Sequence, residues 1–143
     1  MIKTFRGKLE HGEQVTIRLS TSKGEIGYSI KKFQIIDDEP GVVNCELVSK
    51  VFTRKQTTVD GDVDFGNSEL LAMCYYRDSN NNAYADSTTV IFDATKVNQD
   101  IFVNVYDNSG NNEPTNYYLE LEQVKLDLSE ATVATLKDMR GTE

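Results

Sequence analysis

Hydrophobic alternation with a period of two constrains this chain more than any other feature. Val15, Ile17 and Leu19 alternate with Thr16, Arg18 and Ser20. Val43, Cys45, Leu47, Ser49 and Val51 alternate with Asn44, Glu46, Val48, Lys50 and Phe52. Ile101, Val103 and Val105 interleave with Phe102, Asn104 and Tyr106, and Tyr117, Leu119 and Leu121 with Tyr118, Glu120 and Glu122. Successive side chains of a strand point to opposite faces, so each run reads as a half-buried strand, whereas a helix needs a longer period. Its β-branched and aromatic residues suit a pleated surface.

Turn-forming residues separate the runs at His11-Gly12, Ser22-Lys23-Gly24, Glu39-Pro40-Gly41, Asp60-Gly61, Ser79 to Asn82 and Asn108 to Asn112. About eight strand segments remain, near 2–6, 14–20, 27–37, 42–54, 70–77, 88–92, 100–107 and 116–127. Short strands at regular spacing predict an all-β fold, an antiparallel β-sandwich of jelly-roll-like type. No repeat or linker divides the 143 residues, so one domain spans 1–143. Ser129 can cap a short helix containing Ala131, Ala134, Leu136 and Lys137, but Thr132, Val133 and Thr135 oppose it. Residues 129–143 therefore read as a helix or an extended tail. The glycines fall at turns and are assigned to positive φ.

Two runs change parity partway. Tyr28 and Ile30 give way to Phe33 and Ile35 across Lys31-Lys32, and Leu119 and Leu121 give way to Val124 and Leu126 across Glu122-Gln123. Each change fits a one-residue β-bulge, or a strand turning a corner between sheets.

The formal net charge is −8, and it is uneven. Residues 1–60 carry ten Lys and Arg against eight Asp and Glu, whereas residues 61–143 carry five against fifteen. An acidic chain repels a phosphate backbone, which disfavours a nucleic-acid partner. No apolar run is long enough to span a bilayer, and Met1 to Arg6 lacks the apolar stretch of a secretory signal. Synthesis in the cytoplasm and no membrane partner are the expectations. Cys45 and Cys74 sit in apolar runs without a CxxC pattern, which reads as two buried thiols; a single bridge between them stays open.

Catalytic chemistry finds little foothold. His11 is the only histidine and lies in a turn, so no Ser-His-Asp set is evident. No phosphate-binding glycine pattern occurs, and no cofactor is expected. The strongest carboxylate cluster is Asp60-Gly61-Asp62-Val63-Asp64, a weak calcium candidate or, through Asp62 and Asp64, a weak catalytic pair. Its spacing does not fit an EF-hand loop, and a plain acidic turn is the simpler reading. Asp37-Asp38-Glu39 is a second acidic turn of the same kind. Tyr75-Tyr76 and Tyr117-Tyr118 each place one ring on either face of a strand. The inner ring is core and the outer ring suits a protein interface, so these four are the interface candidates. Tyrosines also stack on sugars, which makes a glycan the rival ligand. The Asn-rich loops at 78–82 and 107–112 read as exposed ends of the sandwich.

Several stretches carry a resemblance: Ile17 to Thr21, Thr58 to Phe65, Val90 to Asp93, Asn98 to Val103, Asn116 to Glu122 and Leu128 to Arg140. Together they resemble a family of small virion structural proteins of marine bacteriophages, over roughly residues 2–140. The resemblance implies a non-enzymatic component of the particle, made in the host cytoplasm. Its implied partners are the capsid shell and further copies of itself. A capsid decoration or cement protein is the first expectation, then a minor capsid or vertex protein, then a tail or fibre part. A carbohydrate-binding module is the alternative from a different class.

Overall fold

The computed structural model describes residues 1–19, 25–79, 86–92 and 96–127. The expected helix or tail at 129–143, the turn at Ser22-Lys23-Gly24 and most of the turn after Ser79 lie outside those residues. Eight strands run in order: β1 (Ile2–Leu9), β2 (Gln14–Ile17), β3 (Ile26–Asp37), β4 (Cys45–Phe52), β5 (Leu70–Asp78), β6 (Asp86–Ile91), β7 (Ile101–Asp107) and β8 (Thr115–Lys125). All the strand pairings are antiparallel. They form a three-stranded sheet β1-β8-β3 and a five-stranded sheet β2-β7-β4-β5-β6.

This is a β-sandwich of jelly-roll-like order. In a jelly roll, first pairs with eighth, eighth with third and third with sixth, while second, seventh, fourth and fifth make the other sheet. Every one of those neighbours is present here except third with sixth, because β6 pairs with β5 instead. The inward alternation meets between the sheets: Phe33, Leu47, Val51, Ile101, Val103, Val105, Leu119 and Leu121 are all fully buried.

The bulge expected at Lys31-Lys32 is present. Ile30 pairs with Leu121 and Lys32 with Glu120, which leaves Lys31 as the extra residue. Both Ile30 and Phe33 can then face the core despite their different parity. The bulge expected at Glu122-Gln123 is absent, since β8 pairs continuously with β3 through Ser29–Glu122, Tyr28–Gln123 and Gly27–Val124. Leu126 is buried from beyond the last paired residue, donating its N–H to Glu25 O (2.6 Å), where sheet parity no longer binds the chain. A bulge that alternation did not suggest lies in β5, where Val51 pairs with Ala72 and Phe52 with Leu70.

Positive φ explains Gly12, Gly41 and Gly110, but Gly7 and Gly27 lie within β1 and β3, close against the Tyr117 and Leu126 side chains, and Gly61 is a different case again. A Cβ there would run into the Asn108 side chain, so close approach of two loops is what calls for glycine.

Candidate functional site

Three local arrangements carry polar or aromatic groups into defined geometry. The first is the place where the jelly-roll pairing is unmade. The later half of β3 faces β6 with no ladder between them, leaving a groove of about 370 Å³. Side chains bridge it in place of the ladder. Thr89 Oγ1 donates to Phe33 O (3.1 Å), and Cys74 Sγ lies 3.2 Å from the same hydroxyl. Tyr76, Tyr117 and Tyr118 border the groove with Ile36, Gln34 and Asn116.

The four interface candidates thus separate. Tyr76 and Tyr117 point inward and are nearly enclosed, with an edge at the groove. The Tyr76 hydroxyl donates to Asp78 Oδ2 (3.3 Å), and burial followed by the Asp78 charge pushes it up to about 12. Tyr118 lies half-buried on the outer side of its sheet, donating to Glu120 Oε1 (2.7 Å). Tyr75 is half-buried on the outward side of β5, away from the groove and opposite Val48. Ile36, which the alternation did not single out, is 45% exposed at the groove's rim.

The second arrangement holds Asp60, Asp62 and Asp64, on the long connection between β4 and β5. That connection folds over the outward side of β4. Lys50, outward-facing yet 5% exposed, donates to Asp60 Oδ1 (3.0 Å) and Asp62 O (2.6 Å). The Lys50 hydrogen bond holds the Asp60 carboxyl below its usual range. Asp60 Oδ1 also takes the Asp62 N–H and Asp64 Oδ1 the Gly66 N–H, so these side chains stitch their own turns. The Lys50 ammonium thus sits between the Asp60 carboxylate and the Asp62 carbonyl. Among the described residues no three His, Cys, Asp or Glu side chains converge on a metal-holding point.

The third arrangement closes one end of the core. Asp37 follows Phe33 and Ile35 on the inward face of β3; Asp78 follows Cys74 and Tyr76 on β5; Asp107 follows Val103 and Val105 on β7. Thr115 and Cys45 stand inward beside them, opposite Asp37 and Asp78 in the ladders. All five are buried. Asp78 accepts the Gly41 N–H (2.6 Å) besides the Tyr76 hydroxyl. Asp107 accepts the N–H groups of Glu46, Ser109 and Glu113. Burial alone would raise Asp107, but those N–H groups outweigh it and hold the carboxyl below its ordinary range. Asp37 is served less well. Its Oδ1 takes the Asp38 N–H (2.8 Å), and no donor among the described residues reaches its enclosed Oδ2. Burial raises Asp37, and burial with the Asp37 charge raises Glu113, whose carboxyl lies within hydrogen-bonding reach of it.

The cysteines and the histidine are held by packing and hydrogen bonds within the sandwich. Cys45 and Cys74 are free, buried thiols. Burial, then the charges of Asp37 and Asp107, push Cys45 up to about 12, which removes the thiolate that nucleophilic chemistry needs. His11 Nδ1 accepts the Asp107 N–H (3.0 Å), and its ring packs on Tyr106 at 4.4 Å. It is a half-buried tie between the β1–β2 turn and the end of β7, where the sequence suggested only a surface residue.

The chain matches no family model and no curated protein sequence. Among the described residues no helix is long and apolar enough to cross a membrane, which leaves a β-barrel unaddressed.

Proposed function

We propose that the protein works by association rather than catalysis, as a structural component of a bacteriophage particle. Within the particle we place it first as a capsid decoration or cement protein, with a minor capsid or tail position behind it. The β3–β6 groove is the observation that supports association most. A sheet edge with few backbone partners, flanked by Tyr76, Tyr117, Tyr118 and an exposed Ile36, has the make-up of an interface centre. The resemblance of its sequence motifs to small virion proteins supports the choice of particle.

The test is binding of the purified protein to particles that lack it. Ile36→Asp and Tyr118→Ala change the groove's rim without opening the core, and each should weaken binding at least tenfold, a loss of about 1.4 kcal/mol or more. Unchanged binding by both variants would remove the groove from the interface.

One observation favours a second reading. Gln34, Asn116, Ser87 and Thr89 set amides and hydroxyls around the Tyr118 ring, as a small glycan would require. Saturable binding of free sugars that Tyr118→Ala abolishes would favour a carbohydrate-binding module instead.

A further inference from the structure

The inward carboxylates at the end of the sandwich raise a question of charge balance. The ion pairs among the described residues are made elsewhere, by Lys8–Asp38, Lys31–Glu122, Lys50–Asp60, Arg54–Glu69 and Arg77–Glu46. Asp78 and Asp107 are compensated by N–H and O–H donors, as described above. Asp37 and Glu113 are not. Their carboxyls meet within hydrogen-bonding reach, and two negative charges so placed and partly dry repel strongly. Two further atoms point the same way. Asp37 Oδ2 and Thr115 Oγ1 are both enclosed, both without a hydrogen-bond partner, and belong to residues directly opposite each other in the β3–β8 ladder. Enclosed polar atoms without a partner are rare in folded proteins and call for something to satisfy them.

We propose that this end of the sandwich binds one hard divalent cation of the calcium class, held by the carboxylates of Asp37 and Glu113, the Thr115 hydroxyl and water. The charge matches, since one divalent ion balances the two carboxylates that nothing else among the described residues compensates. The ligand chemistry matches as well. Calcium accepts irregular sets of oxygen ligands with water completing the shell, whereas magnesium demands a near-ideal octahedron. Softer metals prefer nitrogen and sulfur. Here the nearby Cys45 thiol keeps its proton and His11 Nδ1 is taken by the Asp107 N–H. The cation ties the end of β3 to the connection entering β8. Asn116, which borders the groove, reaches the Asp37 carbonyl at 3.5 Å, so the tie also steadies the groove's end.

The test is a thermal melt of the full-length protein after chelation, with calcium, magnesium or sodium chloride returned, together with calorimetric titration of calcium. Saturating calcium should raise the midpoint by roughly 5 °C with one site per chain, magnesium less and sodium not at all. Glu113→Gln should abolish the response and Thr115→Val should weaken it, while Asp62→Asn should leave it intact. Asp37→Asn should behave as Glu113→Gln does, and Glu113→Gln alone decides the matter if Asp37→Asn does not fold. An unchanged midpoint with no binding heat would mean that the two carboxyls share a proton, and would overturn the proposal. A calcium response that survives Glu113→Gln, or one that Asp62→Asn removes, would overturn it equally.

Discussion

Lys50 stands on the outward side of β4, opposite Met73 on β5 and Asn104 on β7, where alternation leads one to expect solvent. Its burial comes from the β4–β5 connection, which Lys50 fastens through Asp60 and Asp62. Lys50→Met keeps the stem's packing and removes both hydrogen bonds. The expected cost is about 1–2 kcal/mol, reduced from the value for charged hydrogen bonds because Asp60 remains half exposed to water. Hydrogen exchange should rise in residues 53–69 more than in β7. The pH dependence has a defined sign. The folded Asp60 carboxyl lies below its unfolded value of 3.8, so its contribution is present above that pH. It is lost as pH falls through the lower, folded value. Amide exchange in residues 59–64 should therefore accelerate on acidification below pH 3.8. The cysteines make a sharper case. With Cys45 pushed up to about 12 and Cys74 also raised by burial, neither should be alkylated in the native protein at mild alkaline pH. Both should react on unfolding; rapid native labelling of either would contradict this placement.

Among the strands, β3 shows how one residue governs a face. Lys31 is exposed, and its ion pair with Glu122 is half in water, so Lys31→Ala should change stability by under about 0.5 kcal/mol. Deleting Lys31 is another matter. It would remove the bulge and set Tyr28, Ile30, Phe33 and Ile35 on one parity with their β8 partners unchanged, so the deleted chain should still melt cooperatively, with only the local twist of β3 altered. Circular dichroism melts of the two variants check both outcomes. Thr89→Val should cost about 0.5–1.5 kcal/mol, because it removes the hydroxyl that answers the Phe33 carbonyl at a pairing gap open to water. The parity break at Lys31-Lys32 was legible because Phe33 and Ile35 keep a clean register after it. Glu122-Gln123 looked the same in sequence, yet there β8 continues unbulged to Lys125 and Leu126 is buried only beyond its end, and a pattern of side chains does not record where pairing stops. The inward carboxylates were also legible in principle. Asp37, Asp78 and Asp107 each extend a buried alternation by one more step, a mark that separates an inward aspartate from the turn that follows it. The cover over Lys50 left no such trace, since it depends on a loop folding back across the sheet.

At the scale of the molecule, the two sheets share a core centred on Leu119 and Leu121 of β8 and on Val103 and Val105 of β7. The sandwich follows from alternation and turn spacing, which give most strands an apolar face to bury, whereas the jelly-roll-like strand order could not be read from the sequence. The position of β6 does not follow, because both candidate neighbours offer it a compatible face. That choice leaves the groove open, and with it the surface on which the proposed association depends. The proposed role as a many-copy part of a virus particle is decided by quantitative mass spectrometry of gradient-purified particles. The protein should co-purify with the particles at a fixed, high ratio to the shell protein. Its absence from clean particles, with the free protein abundant in the lysate, would contradict the assignment.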